Sequence, residues 1–163
     1  MNKYYIPATE TDVPPLTDLL QDAARLAKTK VAKHLDAIGI YAGQEKIFMT
    51  LAVEGALPPG KIATRLNVKP PTITKTIIRL EEQGFVAREN SDSDKRQVVV
   101  RLTDEGEAIV SRIRTAIRDA EKEIFDGLKK KERRQLQEVL TNLNMHLLGT
   151  APNKSKKSAK KKK

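Results

Sequence analysis

The stretch from Ile62 to Thr103 constrains the fold of this chain more than any other. Ile62, Ala63, Leu66, Val68 and Ile73 stand where two short helices crossing through a tight turn require apolar or small residues. Ala63 has to be small at the crossing, and Asn67 tolerates the left-handed backbone that such a turn needs. The second helix opens at Pro70-Pro71, since a first turn accepts proline. Gly84 ends it. Phe85-Val86-Ala87-Arg88 and Val98-Val99-Val100-Arg101-Leu102 then read as two strands, joined by a polar loop that includes Ser91-Asp92-Ser93-Asp94-Lys95-Arg96. Helix, turn, helix and a short ribbon with arginine at its tip is the pattern of a winged helix-turn-helix.

The second helix has two faces. At ~100° per residue, Ile77 and Leu80 fall on the side of Ile73, while Pro71, Thr72, Lys75 and Arg79 cluster opposite. An apolar back and a basic, hydroxyl-bearing front near the N-terminus suit a helix that approaches base edges and phosphates. Ile78, beside the basic face, can meet a thymine methyl. An ordinary amphipathic helix with a solvated front has the same composition, and the ribbon that follows decides for DNA. In its loop Asp94 stands two residues before Arg96. A solvated turn pair is one reading of these two. The other is a carboxylate that orients a guanidinium for the narrow, electronegative minor groove.

Striped helices flank this segment. Residues 1–14 read as an extended arm ending in Val13-Pro14-Pro15, and Leu16, Leu19, Leu20, Ala23, Ala24, Ala27, Val31 and Leu35 then recur at helical spacing up to the stop at Gly39. A helix over roughly Gly43 to Val53 carries Ile47, Phe48, Leu51 and Ala52, and Pro58-Pro59-Gly60 reads as a loop. Thr103-Asp104-Glu105 opens a long helix striped by Ile109, Ile113, Ala116, Ile117, Ala120, Ile124 and Leu128, with Thr103 as its cap. A last helix carries Leu136, Val139, Leu140, Leu143 and Leu147, and begins against its own dipole at Lys129, Lys130 and Lys131. One small lobe cannot cover all these stripes, so they are expected to pack between two subunits. The predicted fold is mainly α with a small β-hairpin wing: dimerisation helices over 15–38 and 103–148 around a winged lobe at 43–102.

Composition narrows the chemistry. Only 4% of the 163 residues are aromatic and there is no Trp, so Leu, Ile, Val and Ala must build the core. Of 31 lysines and arginines, seven lie in the last fourteen residues, which hold no acid; the remainder has 24 against 21 acids, a net +3. Basicity alone therefore says little about the folded part. The absence of Cys removes disulfides, thiolate metal sites and cysteine redox sensing. Two distant histidines, His34 and His146, make a poor metal site, and no phosphate loop or nucleophile motif suggests catalysis, so neither a cofactor nor an enzymatic activity is expected. No apolar run has membrane length and the first residues lack a signal-peptide core, which predicts a cytoplasmic protein without a membrane partner.

Taken together these residues resemble the MarR family of bacterial transcription regulators. The matching stretches are Gly39-Ile40-Tyr41-Ala42-Gly43-Gln44, Ile62-Ala63-Thr64-Arg65-Leu66-Asn67-Val68, Thr72-Ile73-Thr74-Lys75 and Arg79-Leu80-Glu81-Glu82-Gln83-Gly84-Phe85-Val86-Ala87-Arg88. Ser93-Asp94-Lys95-Arg96 and Leu102-Thr103-Asp104-Glu105-Gly106 complete them, over roughly Leu16 to Leu148. Thr76, Ile78 and Lys129 depart from the pattern, and Ile78 bears on sequence preference. The resemblance implies a homodimer on a pseudo-palindromic double-stranded DNA operator, with Thr74 and Lys95 joining the DNA-binding set of Pro71, Thr72, Lys75, Arg79, Asp94 and Arg96. It also implies a repressor relieved by an aromatic or phenolic small-molecule effector, bound between the dimerising helices and the lobe. His34, Tyr41 and Phe48 are the candidates for ligand contact, although a surface histidine, a loop-fixing tyrosine and a core phenylalanine describe them better. The alternative function is a DNA-architectural protein binding without sequence preference through its lobe and basic tail. The Lys-rich tail at 149–163 is expected to be disordered. It reads either as a solubilising end or as a tether to phosphates.

Overall fold

The computed structural model describes residues 14–91 and 95–150. Almost all of the expected arm, Asp94 of the loop and most of the Lys-rich tail lie outside these residues. The chain forms α1 (Leu16–Asp36), α2 (Gln44–Glu54), α3 (Pro59–Leu66), α4 (Pro70–Glu82), β1 (Val86–Asn90), β2 (Val98–Leu102), α5 (Asp104–Ile124) and α6 (Lys130–Leu147). Two compact units result, one through Ile124 and one from Phe125 onward.

In the first unit, α3 starts inside the segment expected to be a loop. Pro58 is the N-cap and Pro59 the first helical residue; a proline there loses only an N–H that has no helical partner. The turn to α4 closes where Asn67 adopts φ 51° and the Val68 N–H donates to the Ala63 carbonyl at 3.0 Å. Lys69 is extended, as a residue before proline must be, and α4 follows at once. After Gly84, β1 and β2 pair antiparallel with Val86 opposite Leu102 and Asn90 opposite Val98. Leu57 adds a bridge to the outer edge of β2 through reciprocal bonds with Val100.

One core joins these elements: Leu35 of α1, Ile47, Phe48 and Leu51 of α2, Ile62 and Ala63 of α3, Ile73, Ile77 and Leu80 of α4, Val86, Val100 and Leu102 of the hairpin, and Ile109, Val110, Ile113 and Ala116 of α5. The α5 stripe was expected to pack between subunits. Instead it is buried within the chain as far as Ala120, because α1 and α2 lie against α5 and supply the apolar partners. α1 behaves differently: Leu35 is its one fully buried residue, while Leu16, Leu19 and Leu20 stay exposed.

The junction into α5 is tight. Thr103 Oγ1 donates to the Gly84 carbonyl at 2.6 Å and accepts from the Gly106 N–H at 3.1 Å, and the Thr103 N–H donates to the Phe85 carbonyl. Thr103 thus caps α5 as its sequence suggested and ties it to the end of α4. The Phe85 ring meets Phe48 edge-on at 5.5 Å.

In the second unit, no residue of α6 is fully buried. Its unfavourable lysine start is offset by Glu132, whose carboxylate accepts from the Lys129 N–H at 2.7 Å and places negative charge in the first turn.

Candidate nucleic-acid interface

The division of α4 into two faces is present in the structure. Ile73, Ile77 and Leu80 are buried, and Pro71, Thr72, Thr74, Lys75, Ile78 and Arg79 are exposed. Thr74 donates its hydroxyl proton to the Pro70 carbonyl, and Thr76 does the same to Thr72. Their oxygens remain available as acceptors while the side chains stay fixed.

Charge pairing separates the cations of the lobe into two groups. Arg65 is held by Glu54 at 2.9 Å, Arg88 by Glu81 at 2.6 Å and Arg101 by Glu89 at 2.8 Å. Among the described residues, no carboxylate pairs with Lys69, Lys75 or Arg79. Unneutralised positive charge therefore lies at the start and on the outward face of α4, where a phosphate backbone would find it, as well as at Lys46 of α2 and Lys61 of α3. Lys95 and Arg96 are exposed in the turn before β2; Asp94, expected to orient Arg96, lies outside the described residues.

The sequence reading missed all three arginine–glutamate pairs. The Arg101–Glu89 pair follows from register: Ala87 faces Arg101 and Glu89 faces Val99, so alternation puts both charged side chains diagonally on one face. The loop gives no sequence signal for that register, and without it the pair is invisible. Glu89 raises the Arg101 guanidinium further above its ordinary range, first by its hydrogen bond and then by its charge.

The candidate ligand residues occupy three separate places. Phe48 is fully buried in the core. Tyr41 is 60% exposed, at the rim of a cavity of about 260 Å³ that Thr72, Thr76 and Arg79 also line. His34 lies on the side of α1 that faces α5, with Nε2 2.9 Å from Glu123, and Lys30 holds the other oxygen of the same carboxylate at 2.5 Å. Those two hydrogen bonds, Lys30 before His34, hold the Glu123 carboxyl down at about 2. A larger cavity of about 500 Å³, unanticipated from sequence, opens between the end of α2, β2 and the start of α5. No cluster of three or more potential metal ligands occurs among the described residues, and none of the described helices is long and apolar enough to cross a membrane.

A helix-turn-helix whose second helix carries unpaired cations outward, followed by an antiparallel ribbon, defines a winged helix-turn-helix DNA-binding protein. Comparison with known proteins agrees. The MarR family model matches residues 40–98. The HTH-type transcriptional regulator YwoH of Bacillus subtilis, itself uncharacterized, is 35% identical over 65% of this chain and 77% of its own length. The regulator PecS of Dickeya dadantii is 27% identical over 85% of this chain and 87% of its own. Among solved structures, a mutant of MarR from Escherichia coli complexed with operator DNA is similar with a TM-score of 0.73 at 25% identity, covering 79% of this chain and 93% of that one. A Mycobacterium tuberculosis MarR family protein in complex with salicylic acid gives 0.65 at 25% identity, covering 81% and 98%. The chain belongs to the MarR family of transcriptional regulators, a family that binds operator DNA.

Proposed function

We propose that this regulator acts as a homodimer that represses transcription from a pseudo-palindromic operator and releases it on binding a small aromatic or phenolic ligand. The observation that carries the DNA reading is the unpaired, outward charge of Lys75 and Arg79 on a helix whose other face is locked into the core. Pro71, Thr72, Thr74, Lys75 and Arg79 address the major groove, and Lys95 and Arg96, with Asp94, the adjacent minor groove.

Dimerisation is supported in each unit separately. Leu16 of α1 is 83% exposed beside Leu19 and Leu20, and on α6 Val139 is 62% exposed in company with Leu136 and Leu147. Apolar rows of this kind are what an interlocking partner covers. The two recognition helices should then reach half-sites about one DNA turn, ~10 bp, apart.

For the effector, the cavity of about 500 Å³ offers Leu51, Ala52, Leu102 and Val110 as apolar walls, with Arg101, which is paired to Glu89, and Glu107 as its charged groups. Those apolar walls suit an aromatic ring, and salicylic acid is the ligand named for the M. tuberculosis relative; its carboxylate would compete with Glu89 for Arg101. The test is a footprint on the DNA flanking the protein's own gene, repeated with millimolar salicylate. A two-fold protected site that fades with salicylate is expected. Uniform protection of random DNA would favour the architectural alternative, and a footprint insensitive to salicylate would remove that effector class.

A further inference from the structure

The wing extends past the core. Along β1 burial ends at Val86, Ala87 is half-buried, and Arg88, Glu89 and Asn90 are exposed. On β2, Val98 is exposed and Val99 and Val100 are buried. Beyond the Arg88–Val100 pair, β1 has no buried side chain and the ribbon's last buried one is Val99 of β2; an isolated two-stranded ribbon is marginal at best. The Leu57 bridge fixes β2 from its outer edge at Val100. On the β1 side Arg88, which shares a face with Val86, reaches past the core to the last turn of α4. There its Nη2 and Nε both donate to Oε2 of Glu81, at 2.6 and 2.8 Å.

Glu81 is out of place on electrostatic grounds alone. It sits two residues after Arg79 on the helix that must approach a polyanion, where a carboxylate opposes binding. We propose that Glu81 is a positioning residue for DNA reading: by holding Arg88 it sets the angle at which the wing leaves the recognition helix, and so places Arg96 relative to Lys75 and Arg79. This inference rests on the reading that the wing contacts DNA.

The sign of the effect makes it testable. If Glu81 acted only as a charge, removing it would tighten binding; as a strut, its removal loosens the wing and weakens binding. The full-length protein and its Glu81→Gln, Arg88→Gln and charge-exchanged Glu81→Arg/Arg88→Glu variants are titrated by fluorescence anisotropy at fixed salt. The probe is the duplex that the wild-type chain enriches from a random-sequence pool. Glu81→Gln and Arg88→Gln should each weaken binding by about three- to tenfold, the exchange should restore most of it, and an Arg96→Ala background should abolish the effect of Glu81→Gln. Thermal melting should change little, since the pair is half-exposed; a merely structural role would lower melting and leave the dependence on Arg96 absent.

Tighter or unchanged binding by Glu81→Gln, with Arg96→Ala still harmful, overturns the positioning role alone. A loss confined to Arg88→Gln and not restored by the exchange overturns it too, and marks Arg88 as a phosphate contact. If Arg96→Ala is itself neutral, the wing reading fails and the inference fails with it.

Discussion

Replacing Gly106 by alanine puts a methyl group where the Phe85 carbonyl already stands. An ideal Cβ at Gly106 would lie 2.0 Å from the Phe85 oxygen, 3.1 Å from its carbon and 3.3 Å from Leu102 Cδ2. Reaching even 3.0 Å requires the carbonyl or the helix to move by at least 1 Å. Neither is free to do so. The Phe85 oxygen accepts from the Thr103 N–H, its N–H donates to the Leu80 carbonyl at 2.9 Å, and its ring rests on Phe48. Alanine in a helix gains ~1 kcal/mol over glycine. Against this stand ~1–3 kcal/mol for overpacking, and ~1 kcal/mol for the hydrogen bond of Thr103 that a displaced carbonyl would lose. A shift of 1 Å between backbones lies at the high end of the overpacking range, so Gly106→Ala should destabilise by ~2–3 kcal/mol. Urea unfolding followed by circular dichroism, at matched protein concentration because an oligomer's midpoint depends on it, should show a lower midpoint at unchanged slope. An equal or higher midpoint would refute the reasoning, since helix propensity would then have outweighed the contact.

Arg79→Ala should cost specific binding ~1–3 kcal/mol and relax discrimination at one position, whereas removing a side chain that touches only phosphate weakens all sequences alike; anisotropy against matched and point-substituted duplexes separates the two. Ending the chain at Gly149 removes seven lysines and should make log affinity against log salt shallower by ~0.9 for each phosphate that the tail had neutralised, with operator-to-random discrimination unchanged; an unaltered slope in paired salt titrations means the tail is inert. Glu123, held at about 2 against an ordinary 4.5, has a folded pKa below its unfolded one, so its contribution is full above pH 4.5 and is lost as pH falls toward 2. Glu123→Gln should accordingly flatten part of the acid limb in melts between pH 6 and pH 2.5, and identical acid limbs would show that its partners contribute nothing.

The elements that the sequence revealed are those in which local chemistry and burial agree. The α4 face could be read because Ile73, Ile77 and Leu80 repeat at the helical period, and the turn at Asn67 because few residues accept that backbone. The Leu-Thr-x-x-Gly pattern is visible in the sequence without its cause, which is the approach of Gly106 to Phe85. What escaped depends on distances between segments remote in sequence. A stripe on α5 looks the same whether α1 and α2 cover it or a second subunit does, and only the tertiary packing settles in favour of the former as far as Ala120. Likewise His34 gives no local sign that it faces Glu123 across two helices, nor Pro59 that it starts a helix rather than continuing a loop.

The ends of the reading elements meet at one place. α4 ends at Glu82, β1 begins at Val86, β2 ends at Leu102 and α5 starts at Asp104, and the hydrogen bonds of Thr103 to Gly84, Phe85 and Gly106 tie the α4–β1 turn to the start of α5 within a few residues. A displacement of α5 at its first turn would act through the Thr103–Gly84 and Thr103–Phe85 bonds on the end of the recognition helix and the base of the wing together. The cavity of about 500 Å³ is lined on one side by Glu107 and Val110 of α5 and on another by Leu51 and Ala52 of α2. An occupant that widened that gap by a fraction of an ångström would act on the stiff end of a lever, because the close approach at Gly106 leaves no slack to take up the motion. If the cavity holds the proposed effector, the glycine would matter twice: its missing methyl lets α5 approach the α4–β1 turn, and that closeness would couple the proposed operator-reading surface to the cavity.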